Sequence, residues 1–144
     1  MNEPAITLRD LFKKKWTLEN APEANICFRV GEPANLNDRF AHKQISLEVL
    51  KSASPVIHQN QARTVFTEII PIGIWIKITP ATDKAKEETF EKRQSIIGEI
   101  RRIIHENRKS VINVRFAYLG GDRHLDSFPY LHSVVNVKCT YSYP

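Results

Sequence analysis

The chain reads as an α+β domain with the element order α-β-β-α-β-β, a mostly antiparallel sheet packed against one long helix. Three observations predict it. A dense isoleucine stripe at helical spacing occupies the second half of residues 84–108. Segments on either side alternate apolar and polar residues with period two. Proline and glycine fall between these stretches far more than within them. At 144 residues the chain has the usual size of one domain, large enough for a single core without staples. We expect one domain over 1–144, with residues 1–5 as a flexible arm.

The elements follow in order. Thr7 is a plausible N-cap, and Leu8, Leu11, Phe12 and Trp16 form one apolar stripe over 7–16. Asp10 then falls in the first turn and Lys13, Lys14 and Lys15 in the last, as the helix dipole prefers. Residues 19–40 are irregular, with a short strand inside at 25–30. Ile45, Leu47 and Val49 alternate with Gln44, Ser46 and Glu48, which predicts a half-buried strand over 41–52. Residues 52–61, with Ser54-Pro55, read as a loop.

Residues 63–79 carry the strongest strand pattern. Phe66, Ile70, Ile72, Ile74, Ile76 and Ile78 share one parity, and Pro71-Ile72-Gly73 predicts a bulge or bend in the middle. Burial on both faces is expected from Gly73 to Ile78. Pro80 stops the strand, and Thr82 or Asp83 caps a helix over 84–108. Its buried stripe is Phe90, Ile96 or Ile97, Ile100, Ile103 and Ile104. Acids come early on it and bases late, again matching the dipole. Gly98 suggests a close approach of a strand. Residues 111–119 alternate as a strand. Gly120-Gly121-Asp122 then reads as a turn opening a loop to Pro129. Val135, Val137, Cys139, Tyr141 and Tyr143 alternate with Asn136, Lys138, Thr140 and Ser142 in the last strand, 130–143. Its polar parity implies an antiparallel sheet with one wet side.

Composition excludes some classes. No apolar run approaches the ~20 residues of a membrane span, and 1–10 lacks the apolar stretch of a secretory signal, so a cytoplasmic chain without membrane contact is expected. Cys27 and Cys139 form no CxxC and sit in apolar strands. They are expected to be buried thiols, a disulfide being the alternative. The net charge of +5 permits an acidic partner or nucleic acid without requiring one.

No catalytic constellation emerges, so the chain reads as a non-enzyme without cofactor or metal. His124 and His132 with Asp122 and Asp126 offer the best metal or general-base candidate, but in a loop their spacing fixes no geometry. Glu48 and Glu68 are out of register for a nuclease carboxylate set. Gly120-Gly121 lacks the lysine of a phosphate-binding loop. Arg101, Arg102, Arg108 and Lys109 form a candidate basic surface beside their role in helix termination. Aromatics alternate with Arg115 at Phe116 and Tyr118 and recur at Tyr141 and Tyr143, either as sheet packing or as base-stacking platforms.

From Thr7 onward the order resembles the tail terminator and head–tail joining (neck) proteins of long-tailed phages and related viruses. The resemblance is carried by size, the 7–16 helix, and the strand ending Ile74-Trp75-Ile76-Lys77-Ile78. The long helix ending near Arg108, the Gly-Asp turn and the Asp126-Ser127-Phe128-Pro129 approach to an aromatic-rich last strand complete it. The resemblance implies a ring-forming structural subunit, commonly a hexamer, located in the virion after assembly in host cytoplasm. Its implied partners are further copies of itself, tail-tube or neck proteins, and DNA in transient contact. The expected subunit-contact segment is Gly120, Gly121, Asp122, Arg123, Asp126, Phe128 and Tyr130. The alternative is a small nucleic-acid-binding module using the sheet face and the late-helix bases.

Overall fold

The computed structural model describes residues 3–35, 38–51, 56–59, 64–109 and 114–143. Two helices lie on one face of a six-stranded sheet: α1 (Pro4–Lys15) and α2 (Asp83–Glu106). The strands are β1 (Ile26–Val30), β2 (Ile45–Val49), β3 (Val56–Gln59), β4 (Thr64–Lys77), β5 (Val114–His124) and β6 (Tyr130–Tyr143). Their spatial order is β1-β2-β4-β6-β5, with β3 beside the first half of β4 and β2 beside its second half. The α+β class stands. All strand pairs are antiparallel except β1–β2, which is parallel.

The predicted alternation sets the core. Ile45, Leu47 and Val49 lie opposite Ile76, Ile74 and Ile72, which lie opposite Leu131, Ser133 and Val135. Leu8, Leu11 and Phe12 of α1 and Ile96, Ile97, Ile100, Ile103 and Ile104 of α2 close over that row. Each fully buried isoleucine contributes about 1.5–3 kcal/mol. The α2 cap is Thr82, whose hydroxyl accepts from the Ala85 N–H at 3.2 Å. Among the described residues no helix is long and apolar enough to cross a membrane.

Several expectations need correction. Helix α1 starts at Pro4, not after Thr7, because proline suits a first helical position; Thr7 donates to the Glu3 carbonyl from inside the first turns. Pro4 and Ala5 are therefore buried rather than a loose arm, and Asp10 sits mid-helix beside Arg9. Residues 56–59, read as loop, pair with β4; 52–55, 60–63 and 111–113 lie outside the described residues. β4 carries no bulge at Pro71: its register with β6 runs unbroken through Pro71↔Asn136 and Gly73↔Val134. The Pro71 carbonyl accepts from Leu50, so its nitrogen also faces away from β6, into the gap between β2 and β3. There a missing N–H breaks no ladder bond. Gly98 is exposed with nothing near its position, so no strand approaches it. Phe90 is only partly buried; Arg93 and Glu99 take buried places on that face instead.

The largest difference is in β5. The strand runs on through Gly120, Gly121 and Asp122 to His124, with register shifts on either side of Gly120. Gly120 and Gly121 adopt φ of +77° and +66°, which lets the strand absorb extra residues as bulges instead of turning. The link to β6 is only residues 125–129.

Candidate functional site

Side chains of β2, β4 and β6 that point away from the helices form the second face of the sheet. It is wet along Ile69, Arg115, Ala117 and Lys138. It is not wet at Ser46 and Glu48, which the alternation placed on an open polar side. The parallel β1–β2 pairing requires a crossover connection between the two strands, and its described part, residues 38–44, lies against this face. That segment lowers Arg39 onto the sheet.

Arg39 is 6% exposed and Glu48 1%. The Arg39 Nη1 donates to both carboxylate oxygens of Glu48 at 2.5 Å, and the Ser46 hydroxyl donates to the same carboxylate at 2.9 Å. The guanidinium lies 4.1 Å from the Trp75 ring centroid. His132 stacks on Trp75 at 3.8 Å and 14°. Trp75 thus packs against both the guanidinium and the imidazole. Burial lowers the His132 pKa from its ordinary value, and the Arg39 charge lowers it further; Asp126 and Glu32 offset part of this. The Arg29 Nη2 ties the crossover down by donating to the carbonyls of Asp38 (3.2 Å) and Arg39 (2.9 Å).

Beyond this cluster the segment 38–43 coils tightly. The Ala41 N–H donates to the Asp38 carbonyl at 3.1 Å and the Lys43 N–H to the Phe40 carbonyl at 2.7 Å. Ala41 and His42 both adopt positive φ, 45° and 65°. Two consecutive non-glycine residues there cost on the order of 1–3 kcal/mol each. The coil forms one wall of a cavity of about 590 Å³, with Trp75 and Lys77 of β4 and Tyr130 of β6 opposite. Phe40 stacks on Tyr130 at 5.9 Å and 13°, joining the coil to the start of β6.

The expected contact segment is divided by the structure. Gly120, Gly121, Asp122 and Arg123 are in the outer strand β5, largely exposed. The Tyr118 hydroxyl donates to Asp122 at 2.7 Å, and burial together with this bond pushes its pKa up to about 12. The Asp126 carboxylate accepts from Arg93 Nη1 at 2.7 and 2.8 Å and from the His132 backbone N–H at 3.0 Å, so it pins the 125–129 link to α2. His124 Nδ1 lies 2.8 Å from the Ser133 hydroxyl, but Ser133 is fully buried and Asp126 is engaged elsewhere, so the group is not a nucleophile site. Phe128 is 55% exposed; Tyr130 belongs to the cavity. Among the described residues no group of three or more metal-ligating side chains comes together; Asp122 accepts from Tyr118 and Asp126 from Arg93.

The late-helix bases divide: Arg101 and Arg108 line one pocket with His105, Phe116 and Tyr118, while Arg102 lies outside it. Arg102 turns toward α1: it pairs with Glu99 and Glu106 and donates to the Lys15 carbonyl. Burial alone would raise the Glu99 pKa, but bonds from Arg102 and Thr17 outweigh it and the net shift is downward. Arg101 turns the other way, its guanidinium 4.8 Å from the Tyr118 ring centroid. Arg108 Nη1 donates back to the His105 carbonyl, and Lys109 is exposed. Phe116 and Tyr141 are buried, as sheet packing requires. Cys139 is buried and Cys27 half-buried, and both are free thiols.

Sequence reasoning missed Arg39, Phe40, Trp75 and His132 as a unit. The one signal was a tryptophan on the polar parity of the strongest strand. No protein-family model matches the chain, and no curated protein matches it significantly.

Proposed function

We propose that the protein is a structural subunit that assembles head to tail into a ring, of the tail-terminator or neck kind its element order resembles, with tail-tube or neck proteins as neighbours. The supporting observation is where large apolar side chains remain exposed. Leu125 (52%), Phe128 (55%) and Tyr130 are exposed at the β5–β6 link, and Leu119 is exposed farther along the outer strand β5. Ile57 of β3 and Ile69 of β4 are also exposed, but on opposite faces of the sheet: Ile57 pairs with Phe66 on the helix side, and Ile69 points to the second face beside Lys138. The ends of the 14-residue strand β4 are roughly 45 Å apart. Exposed apolar side chains at separate places, the β5–β6 link and Ile69 on the second face, suit a heterologous contact, which closes into a ring when its rotation permits. β1 and β5 are the outermost strands of the described sheet and provide edges that a neighbouring copy can extend.

Sedimentation across concentration and at two salt levels tests this. The expected result is a discrete species near six times the 16.6 kDa chain mass, with ring order read from the mass. Leu125→Lys with Phe128→Lys is expected to give a folded monomer, since both side chains face solvent. A monomer at every concentration and salt, for the unaltered chain, overturns the reading.

A further inference from the structure

The cavity beside the 38–43 coil shares only Tyr130 with the apolar patch proposed for ring assembly, and the rest of its lining is not explained by that role. Its aromatic members are Phe40, Trp75 and Tyr130; its cationic ones are Lys43 and Lys77. The volume of about 590 Å³ lies within the roughly 300–1,000 Å³ of small-molecule sites. Trp75 is held by its contacts with Arg39 and His132, so it serves as a fixed floor. Phe40 and Tyr130 stack on each other, which leaves each ring its outer face. No salt bridge among the described residues engages Lys43 or Lys77; Lys43 Nζ donates only to a backbone carbonyl, that of Ile26, at 3.2 Å. The Arg39 charge is spent on Glu48, and Asp38 is the one acid on the wall. The wall includes the Ala41-His42 backbone, held at positive φ without glycine, and strain of this kind clusters at ligand clamps.

We infer that this cavity binds a nucleoside phosphate unit, with the base stacked on the Tyr130–Phe40 pair and the phosphate on Lys77 and Lys43. Aromatic faces accept any base, and ammonium groups bind phosphate as point charges. An apolar ligand would leave both lysines unanswered, and a bare phosphate would leave the aromatic wall unused. The unit can come from a free nucleotide or from a single strand, and both present the same chemistry to the cavity.

The test follows Trp75 and Tyr130 amide shifts by NMR while the full chain is titrated with adenosine monophosphate, adenosine, inorganic phosphate or a short single-stranded oligonucleotide. The nucleotide is expected to bind, with adenosine and phosphate each weaker by about tenfold or more. An oligonucleotide that binds tighter than the mononucleotide, with strong salt dependence, assigns the unit to a strand; equal affinity assigns it to free nucleotide. Lys77→Gln, an exposed position, is expected to remove most of the advantage of the nucleotide over adenosine. Tyr130→Ala is expected to weaken every base-containing ligand about tenfold. If Tyr130→Ala does not fold, Lys77→Gln and the ligand series still decide. Absence of nucleotide and oligonucleotide binding tighter than about 1 mM, or affinity unchanged in Lys77→Gln, overturns the inference. A monomeric protein that still binds nucleotide separates this result from the ring proposal.

Discussion

Replacing Glu48 by leucine removes the acidic partner of Arg39 among the described residues while keeping a side chain of similar length in a dry place. Arg39 and Glu48 are 6% and 1% exposed, so water cannot take over the guanidinium's lost bonds without opening the crossover segment. Breaking one half of such a pair costs about 3–5 kcal/mol. Against a total stability of about 5–15 kcal/mol this is a large fraction, and for a chain of this size it lowers Tm by roughly 6–20 °C. Replacing both partners, Arg39→Met with Glu48→Leu, leaves no orphaned charge. Its remaining costs are the lost guanidinium–Trp75 contact, about 0.5–2 kcal/mol, and the Ser46 hydroxyl left without its acceptor, about 1–3 kcal/mol, which the single variant shares. The double variant is therefore more stable than the single one. Urea unfolding followed by tryptophan fluorescence and circular dichroism gives the three free energies needed for the cycle. A loss under about 1 kcal/mol in Glu48→Leu, or a double variant less stable than the single, refutes the view that this pair is dry and mutually dependent.

Other outcomes follow from the same geometry. The His132 pKa is lower in the folded protein than its ordinary value, so the folded state binds fewer protons. Its contribution is complete above the unfolded pKa near 6.5 and is lost as pH falls below that; His132→Gln flattens the fall between neutral pH and about pH 5 in urea midpoints measured over that range. Burial, helped by the Glu68 charge, pushes the Cys139 thiol up to about 12, so a thiol reagent modifies only Cys27 in the native protein and both cysteines in denaturant. Thr82→Ala removes the α2 cap and costs about 1 kcal/mol, while Ile100→Ala leaves a core cavity and costs about 2–5 kcal/mol, both read from urea midpoints.

Much of this architecture was legible in the residues. The period-two runs over 45–49 and 130–143 and the stripe from Ile96 to Ile104 report a local matter, which side of an element is apolar. That side is buried whatever covers it. Gly120-Gly121 misled because glycine with positive φ serves a turn and a bulge equally well, and only the partner strand β6 decides between them. The candidate site was less legible, since its members come from three separate places. Arg39 and Phe40 sit in a stretch without periodicity, Trp75 on a strand's polar side, and His132 and Tyr130 two positions apart on another strand.

Alone, the sequence determined the α+β class, both helices to within a few residues of their ends, and the core face of each long strand. These follow from backbone propensity and from the spacing of apolar groups along one continuous segment. The tertiary structure alone decided that β1 pairs in parallel with β2. That choice sends the crossover over the second face and buries Glu48 on what would be a wet side. It also decided that Arg101 and Arg102 point to opposite neighbours and that Asp126 serves Arg93. Whether a charge is buried, paired or free depends on which distant group reaches it. A pattern read along one segment carries no information about that arrival.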